Sequence, residues 1–259
     1  MGVEMKEKLS SLDSQLGDMD WLRQWARLAP SSIAIEDGET RFGISYGEFY
    51  EVSCRLADKM ANQWGVGVGD RVAMLATTEL EAVVLFMSTM RVGATLVPIN
   101  FRLAAAEIEH VLEDSSPILL IAQESFSSTL ALVNPKAMTE RRWSFDGDGS
   151  LTEFVQNCIR DIRTKQSAAT LRQALRANSQ PTWHRSMACS DNEPCMILYT
   201  SGTTGKPKGA MITPKMLFWN SLNTTLRLNL SQSDVFVSFL PLFHTGGWNV
   251  LLTPFLHRG

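Results

Sequence analysis

The 259 residues hold few cysteines, no apolar run long enough to span a membrane and almost no surplus of charge, and each lack removes a class of function. Cys54, Cys158, Cys189 and Cys195 lie too far apart for a Cys-x-x-Cys redox or zinc element, so the simplest expectation is reduced thiols and no metal site. A net charge of -3 gives no electrostatic footprint for nucleic acid. The most apolar stretch, 82–99, is broken by Arg91 and Gly93, so it reads as buried core and not as a transmembrane segment. The opening Met1-Gly2-Val3-Glu4-Met5-Lys6 has no apolar signal core, and Lys6 stands where N-myristoylation wants Ser or Thr. A cytoplasmic protein without secretion signal or lipid anchor is expected.

What is present is an ordinary globular composition, 44% hydrophobic and 20% charged, in a chain long enough to bury a sizeable core. Residues 1–20 are polar and read as a loosely ordered N-terminus. Trp21, Leu22, Trp25 and Leu28 then recur at helical spacing, predicting a helix that ends near Pro30. Residues 33–36 and 39–42 flank Asp37-Gly38 as the arms of a hairpin. Ser45 and Glu48 make a capping box, after which Phe49, Val52, Leu56 and Met60 form one apolar stripe that stops at Gly65. Strands are expected at 71–76, 95–99 and 118–122, with helices at 79–91 and 104–112 between them. That alternation predicts an α/β fold of layered parallel βαβ units. Gly65-x-Gly67-x-Gly69 precedes its strand and reads as a tight turn, not as a dinucleotide fingerprint. Signals blur over 123–190, where 151–162 and 170–177 read as surface helices and the basic run 160–185 as a solvated face with a polar linker. Helices at 215–229 and 246–256 and a strand at 235–240 complete the expected layout.

The densest chemistry is in Leu198-Tyr199-Thr200-Ser201-Gly202-Thr203-Thr204-Gly205-Lys206-Pro207-Lys208-Gly209. Glycines let backbone amides approach phosphate oxygens, Ser and Thr hydroxyls add donors, and a lysine adds a mobile positive charge. Gly202 and Gly205 are too close together for a Walker A loop, and Lys206 is followed by Pro207 instead of Ser or Thr. The residues after the loop read as a short strand and then a helix opened by Pro214, so no helix N-terminus sits directly on the phosphate. Hydroxyls and backbone amides carry the binding.

The run 199–209 resembles the phosphate loop of the AMP-forming adenylating enzymes, the superfamily of acyl-CoA synthetases, peptide-synthetase adenylation domains and luciferases. Gly93-Ala94-Thr95-Leu96-Val97-Pro98-Ile99-Asn100, followed by Arg102-Leu103 and Glu107, resembles a second block of that family. Pro241-Leu242-Phe243-His244-Thr245-Gly246-Gly247 resembles a further block and is most similar to the fatty acyl-CoA synthetase branch. The resemblance runs from about Trp21 to Gly259 and is weakest over 123–190. It implies a partial N-terminal AMP-binding domain at 21–259 and adenylation chemistry using ATP, Mg2+ and coenzyme A on a carboxylic, most simply a fatty, acid. It also implies that Thr200, Ser201, Gly202, Thr203, Thr204, Gly205 and Lys208 cradle the departing pyrophosphate. His244 would act catalytically at the junction of acyl pocket and nucleotide, although a lone histidine beside Phe243 has a structural reading as well. His110, His184 and His257 read as surface or packing residues. Phe218, Trp219, Phe239, Phe243 and Trp248 fit an acyl pocket no better than they fit a core.

The family also carries, further downstream, a Tyr-Gly-x-Thr-Glu element, a ribose-binding aspartate and a small C-terminal domain with the adenylation lysine. None has a counterpart here, so the expectation is a truncated chain with exposed apolar surface open to association. Peroxisomal placement occurs in the family, but no signal for it is present. Three functions stay open: an acyl-CoA synthetase, an inactive relic or interaction module that retains the phosphate loop, and an enzyme loading a carrier-protein thiol.

Overall fold

The computed structural model describes residues 20–165, 187–200 and 206–257. The polar N-terminus, the helix expected at 170–177 and the loop residues 201–205 lie outside them. The first helix, α1 (Trp21–Leu28), starts where Asp20 accepts the Arg23 amide at 3.1 Å. Strands β1 (Ile33–Glu36) and β2 (Gly43–Ser45) pair antiparallel, so the second hairpin arm lies at 43–45 and not at 39–42. The cause is Asp37: its Oδ1 accepts the Glu39 and Thr40 amides and the Thr40 hydroxyl at 3.2, 2.6 and 2.6 Å. Those bonds wind 37–42 into a wide turn where a two-residue turn was expected.

Helix α2 (Tyr46–Trp64) begins with the expected capping box. The Glu48 amide donates to Ser45 Oγ at 3.3 Å and the Ser45 amide donates to Glu48 Oε2 at 2.8 Å. It ends at Gly65, φ 65°. The chain then alternates through β3 (Arg71–Leu75), α3 (Leu80–Val92), β4 (Thr95–Pro98), α4 (Ala105–Ser115) and β5 (Leu119–Ala122). A single turn α5 (Ser127–Leu130), β6 (Arg142–Ser144) and α6 (Leu151–Lys165) follow, then β7 (Met196–Thr200), β8 (Lys208–Ile212), α7 (Pro214–Leu228) and α8 (Thr245–His257).

Six strands form one sheet in the order β6-β5-β3-β4-β7-β8, parallel except for β8, which runs antiparallel to β7. The period of two sorts its side chains to opposite faces. Val72, Met74, Leu119 and Ile121 join the core shared with α1, α2, α3 and α6, whereas Ala73, Leu75 and Leu120 join the core under α4. Helix α6 is therefore more than a surface helix, since Leu151, Val155, Ile159 and Ile162 bury one stripe of it. Within the described part of the basic run, Arg163 pairs with Glu48 at 2.6 Å and Arg160 donates to Asn157 at 3.0 Å.

Every residue of α3 is buried, including Arg91. An unpaired charge there would cost several kcal/mol. Two guanidinium nitrogens of Arg91 hold the Asp20 carboxylate at 2.6 and 3.1 Å, its Nε donates to Ser53 at 2.8 Å, and the Tyr50 ring lies 4.5 Å away. Burial works against the charged guanidinium, and Asp20 together with Cys54 and Tyr50 outweighs it, so the Arg91 pKa is raised.

The strand expected at 235–240 does not pair. Val235, Val237 and Phe239 are 91%, 76% and 78% exposed, and no partner strand meets them among the described residues, because β8 ends the sheet.

Candidate nucleotide-binding site

The site expected from sequence begins at the C-terminal end of β7. Thr200 and Lys208 face each other as the last cross-strand pair of the β7–β8 ladder, both exposed, with the Thr200 hydroxyl 3.5 Å from the Lys208 carbonyl. Ser201, Gly202, Thr203, Thr204 and Gly205 lie outside the described residues, and the two flanks fix where they leave and rejoin the sheet. The carboxyl ends of parallel strands are where open α/β sheets take their ligands. Lys206 is exposed as well.

Helix α4 reaches both flanks. The Tyr199 hydroxyl donates to Asp114 Oδ2 at 2.6 Å, and His110 Nε2 lies 3.1 Å from the Pro207 carbonyl. Burial, reinforced by the Asp114 carboxylate, raises the Tyr199 pKa, so the phenol stays protonated and keeps donating. Sequence reasoning missed both Asp114 and His110. An acid and a histidine on a helix carry no signal of a partner about 90 residues away.

His244 is exposed in the turn before α8, its ring tilted against that of Phe243 at 4.6 Å. Phe243 packs edge-on against Phe101 at 5.0 Å, Phe101 stacks on Phe126 at 5.7 Å, and the Arg102 guanidinium lies 5.7 and 5.9 Å from the Phe101 and Phe243 rings. The second block and the histidine block thus meet through their aromatics. Glu107 of the second block has a local duty, accepting the Ala104 amide at 2.9 Å to start α4. No hydrogen bond or ring contact joins His244 to Thr200 or Lys208 among the described residues. Trp248 is core, against Phe86 at 4.9 Å, and Phe239 faces solvent.

A cleft of about 690 Å³ lies elsewhere, lined by Asp37, Glu79, Glu81, Gln123, Asp146 and Arg160 among others, and shares no residue with the loop flanks. Burial raises the Glu81 pKa there. The described residues hold no cluster of three or more His, Cys, Asp or Glu suited to a metal ion. No described helix is long and apolar enough to cross a membrane.

The AMP-binding enzyme family profile matches residues 22–259. The chain belongs to the AMP-binding enzyme family. It is 30% identical over 233 residues to the 2-succinylbenzoate–CoA ligase of Geobacillus kaustophilus, covering 90% of this chain and 40% of that protein. It is 28% identical to the long-chain-fatty-acid–CoA ligase FadD13 of Mycobacterium tuberculosis, covering 89% and 42%. Among solved structures it is similar to the inhibitor-bound N-terminal domain of FACL13 from Mycobacterium tuberculosis, with TM-score 0.73, 26% identity, and 92% of this chain and 54% of that one covered. It is similar also to ATP-bound MatB from Rhodopseudomonas palustris, with TM-score 0.70, 28% identity and coverage of 93% and 44%. The AMP-binding chain thus spans about two fifths of the length of the curated relatives it matches, and the relatives' acids differ widely.

Proposed function

We propose that this AMP-binding chain contributes the nucleotide grip of an acid–CoA ligase, which activates a carboxylic acid with ATP and passes the acyl group to the thiol of coenzyme A. The observation that carries the reading is the Thr200–Lys208 pair standing open at the carboxyl end of the sheet in a chain of this family. The carboxylate attacks the α-phosphorus and pyrophosphate leaves; the thiol sulfur then attacks the acyl carbon and AMP leaves. Thr200, Ser201, Gly202, Thr203, Thr204, Gly205 and Lys208 hold the departing pyrophosphate, and His244 contacts the acyl-phosphate end. Magnesium, when bound, neutralises charge on the phosphates. A fatty acid is the favoured substrate, supported by the similarity to a long-chain-fatty-acid ligase.

MgATP binding measured by calorimetry on the purified chain tests the grip. Lys208→Ala removes a charge-assisted contact worth about 1.5–3 kcal/mol, so binding should weaken roughly tenfold to a hundredfold. Equal affinity in wild type and variant would sink the assignment. Pyrophosphate release across a panel of carboxylic acids then separates an active ligase from a relic. Substituting a phosphopantetheinyl carrier protein for coenzyme A identifies the acceptor.

A further inference from the structure

We propose that α4 is a brace that presets the two flanks of the phosphate loop, with Asp114 holding the entering flank through Tyr199 and His110 holding the returning flank through Pro207. This rests on the nucleotide reading above. His110 and Asp114 are four residues apart and so lie one helical turn apart on one face of α4. Their two partners straddle the loop: Tyr199 immediately precedes Thr200, and Pro207 immediately precedes Lys208. Because the Pro207 carbonyl only accepts, His110 Nε2 carries the hydrogen in this contact. A contact that served only to pin the sheet edge would need one attachment to the hairpin; here each loop flank has its own.

The platform is itself fixed. Ile108, Val111 and Leu112 are buried in the core under the sheet, and Arg71 donates to the Ser115 and Ser116 carbonyls at the end of α4, at 2.7 and 2.9 Å. The hairpin fits over it because Gly209, paired with Tyr199, leaves room for the ring. A Cβ at Gly209 would lie 3.2 Å from Tyr199 Cζ and 2.7 Å from Ile197 Cγ2. Fixing both flanks before the ligand arrives removes ordering cost from binding, which is how preorganisation adds affinity.

The test measures MgATP affinity, thermal midpoint and backbone amide exchange for Tyr199→Phe, Asp114→Asn, His110→Leu and His110→Gln. Tyr199→Phe and His110→Leu should each weaken MgATP about threefold to tenfold, the loss of one hydrogen bond, and the double variant should lose about the product. Asp114→Asn keeps an acceptor and His110→Gln keeps a donor, so both should recover part of the affinity. Unchanged MgATP affinity in Tyr199→Phe and His110→Leu alongside a lowered midpoint would overturn the brace, leaving a purely structural contact. If the wild-type chain binds no MgATP, the nucleotide reading fails separately. The brace is then decided by the ligand-free chain: faster exchange at Thr200 and Lys208 in the variants supports it, and unchanged exchange overturns it.

Discussion

Replacing Asp20 by Asn removes one charge from the most deeply buried ion pair described here while keeping its shape and its capping of α1. Arg91 is 0% exposed and Asp20 2%, so solvent cannot take over the lost partner. The guanidinium would exchange two charge-assisted bonds, at 2.6 and 3.1 Å, for at best one neutral amide oxygen, while its bond to Ser53 and its contact with the Tyr50 ring remain. Breaking a buried ion pair by removing one member costs about 3–5 kcal/mol, a large share of the ~5–15 kcal/mol that typically holds a domain together. At roughly 2–4 °C per kcal/mol in a chain of this size, the midpoint should fall by about 6–20 °C. Arg91→Met should cost a similar amount by removing the guanidinium that faces the buried carboxylate, whereas Asp20→Asn with Arg91→Met removes both charges of the pair and should recover about 2 kcal/mol or more relative to the summed singles. Urea unfolding followed by circular dichroism measures all four corners of the cycle. An Asp20→Asn cost below about 1 kcal/mol, or singles that simply add, would refute the argument that the pair is coupled and shielded.

Two further outcomes follow from local geometry. A Cβ at Gly247 would lie 2.4 Å from the Pro241 carbonyl oxygen, a backbone atom, so Gly247→Ala must open the turn that carries His244 and should cost about 1–3 kcal/mol in a thermal or urea melt. Gly246→Ala meets only the Leu240 side chain, at 3.2 Å, and should cost clearly less; equal costs would contradict the turn geometry. Burial, with Glu193 and Asp191 adding to it, pushes the Cys189 thiol from 9.0 up to about 11. The unfolded chain therefore loses this proton at lower pH than the folded chain, and stability should fall as pH rises between about 9 and 11. Cys189→Ala should make that fall shallower in a series of urea midpoints, and an unchanged slope would exclude the thiol as a contributor.

Local signals were legible wherever the residues that make a feature are neighbours in sequence. Ser45 and Glu48 define the start of α2, Gly65 its end, and the alternation from Arg71 to Ala122 the layered sheet, because caps and periodicity are short-range physics. The hairpin arm was misplaced because the Asp37 carboxylate competes for the amides that a two-residue turn would leave to the ladder. The apolar run at 235–240 has strand composition, yet pairing depends on a partner that no local pattern supplies. Arg91 broke an apolar run in sequence and is buried in the fold, because its counter-ion lies 71 residues away. At the site, composition alone singles out the loop as the candidate, whereas the reach of Asp114 and His110 to its flanks is set only by how α4 lies beneath the β7–β8 hairpin.

The hairpin that bears the loop joins the rest of the sheet along a narrow seam. Leu96 is paired with Met196, the Leu96 amide donates to the Cys195 carbonyl at 3.0 Å, and the Thr95 hydroxyl donates to the Pro194 carbonyl at 2.7 Å across 99 residues of chain. A seam of that sequence separation closes late in assembly, since the loop entropy must be lost before its few bonds are gained. A ligand that grips the loop of this hairpin would also act as the latch that holds the sheet's last two strands in register.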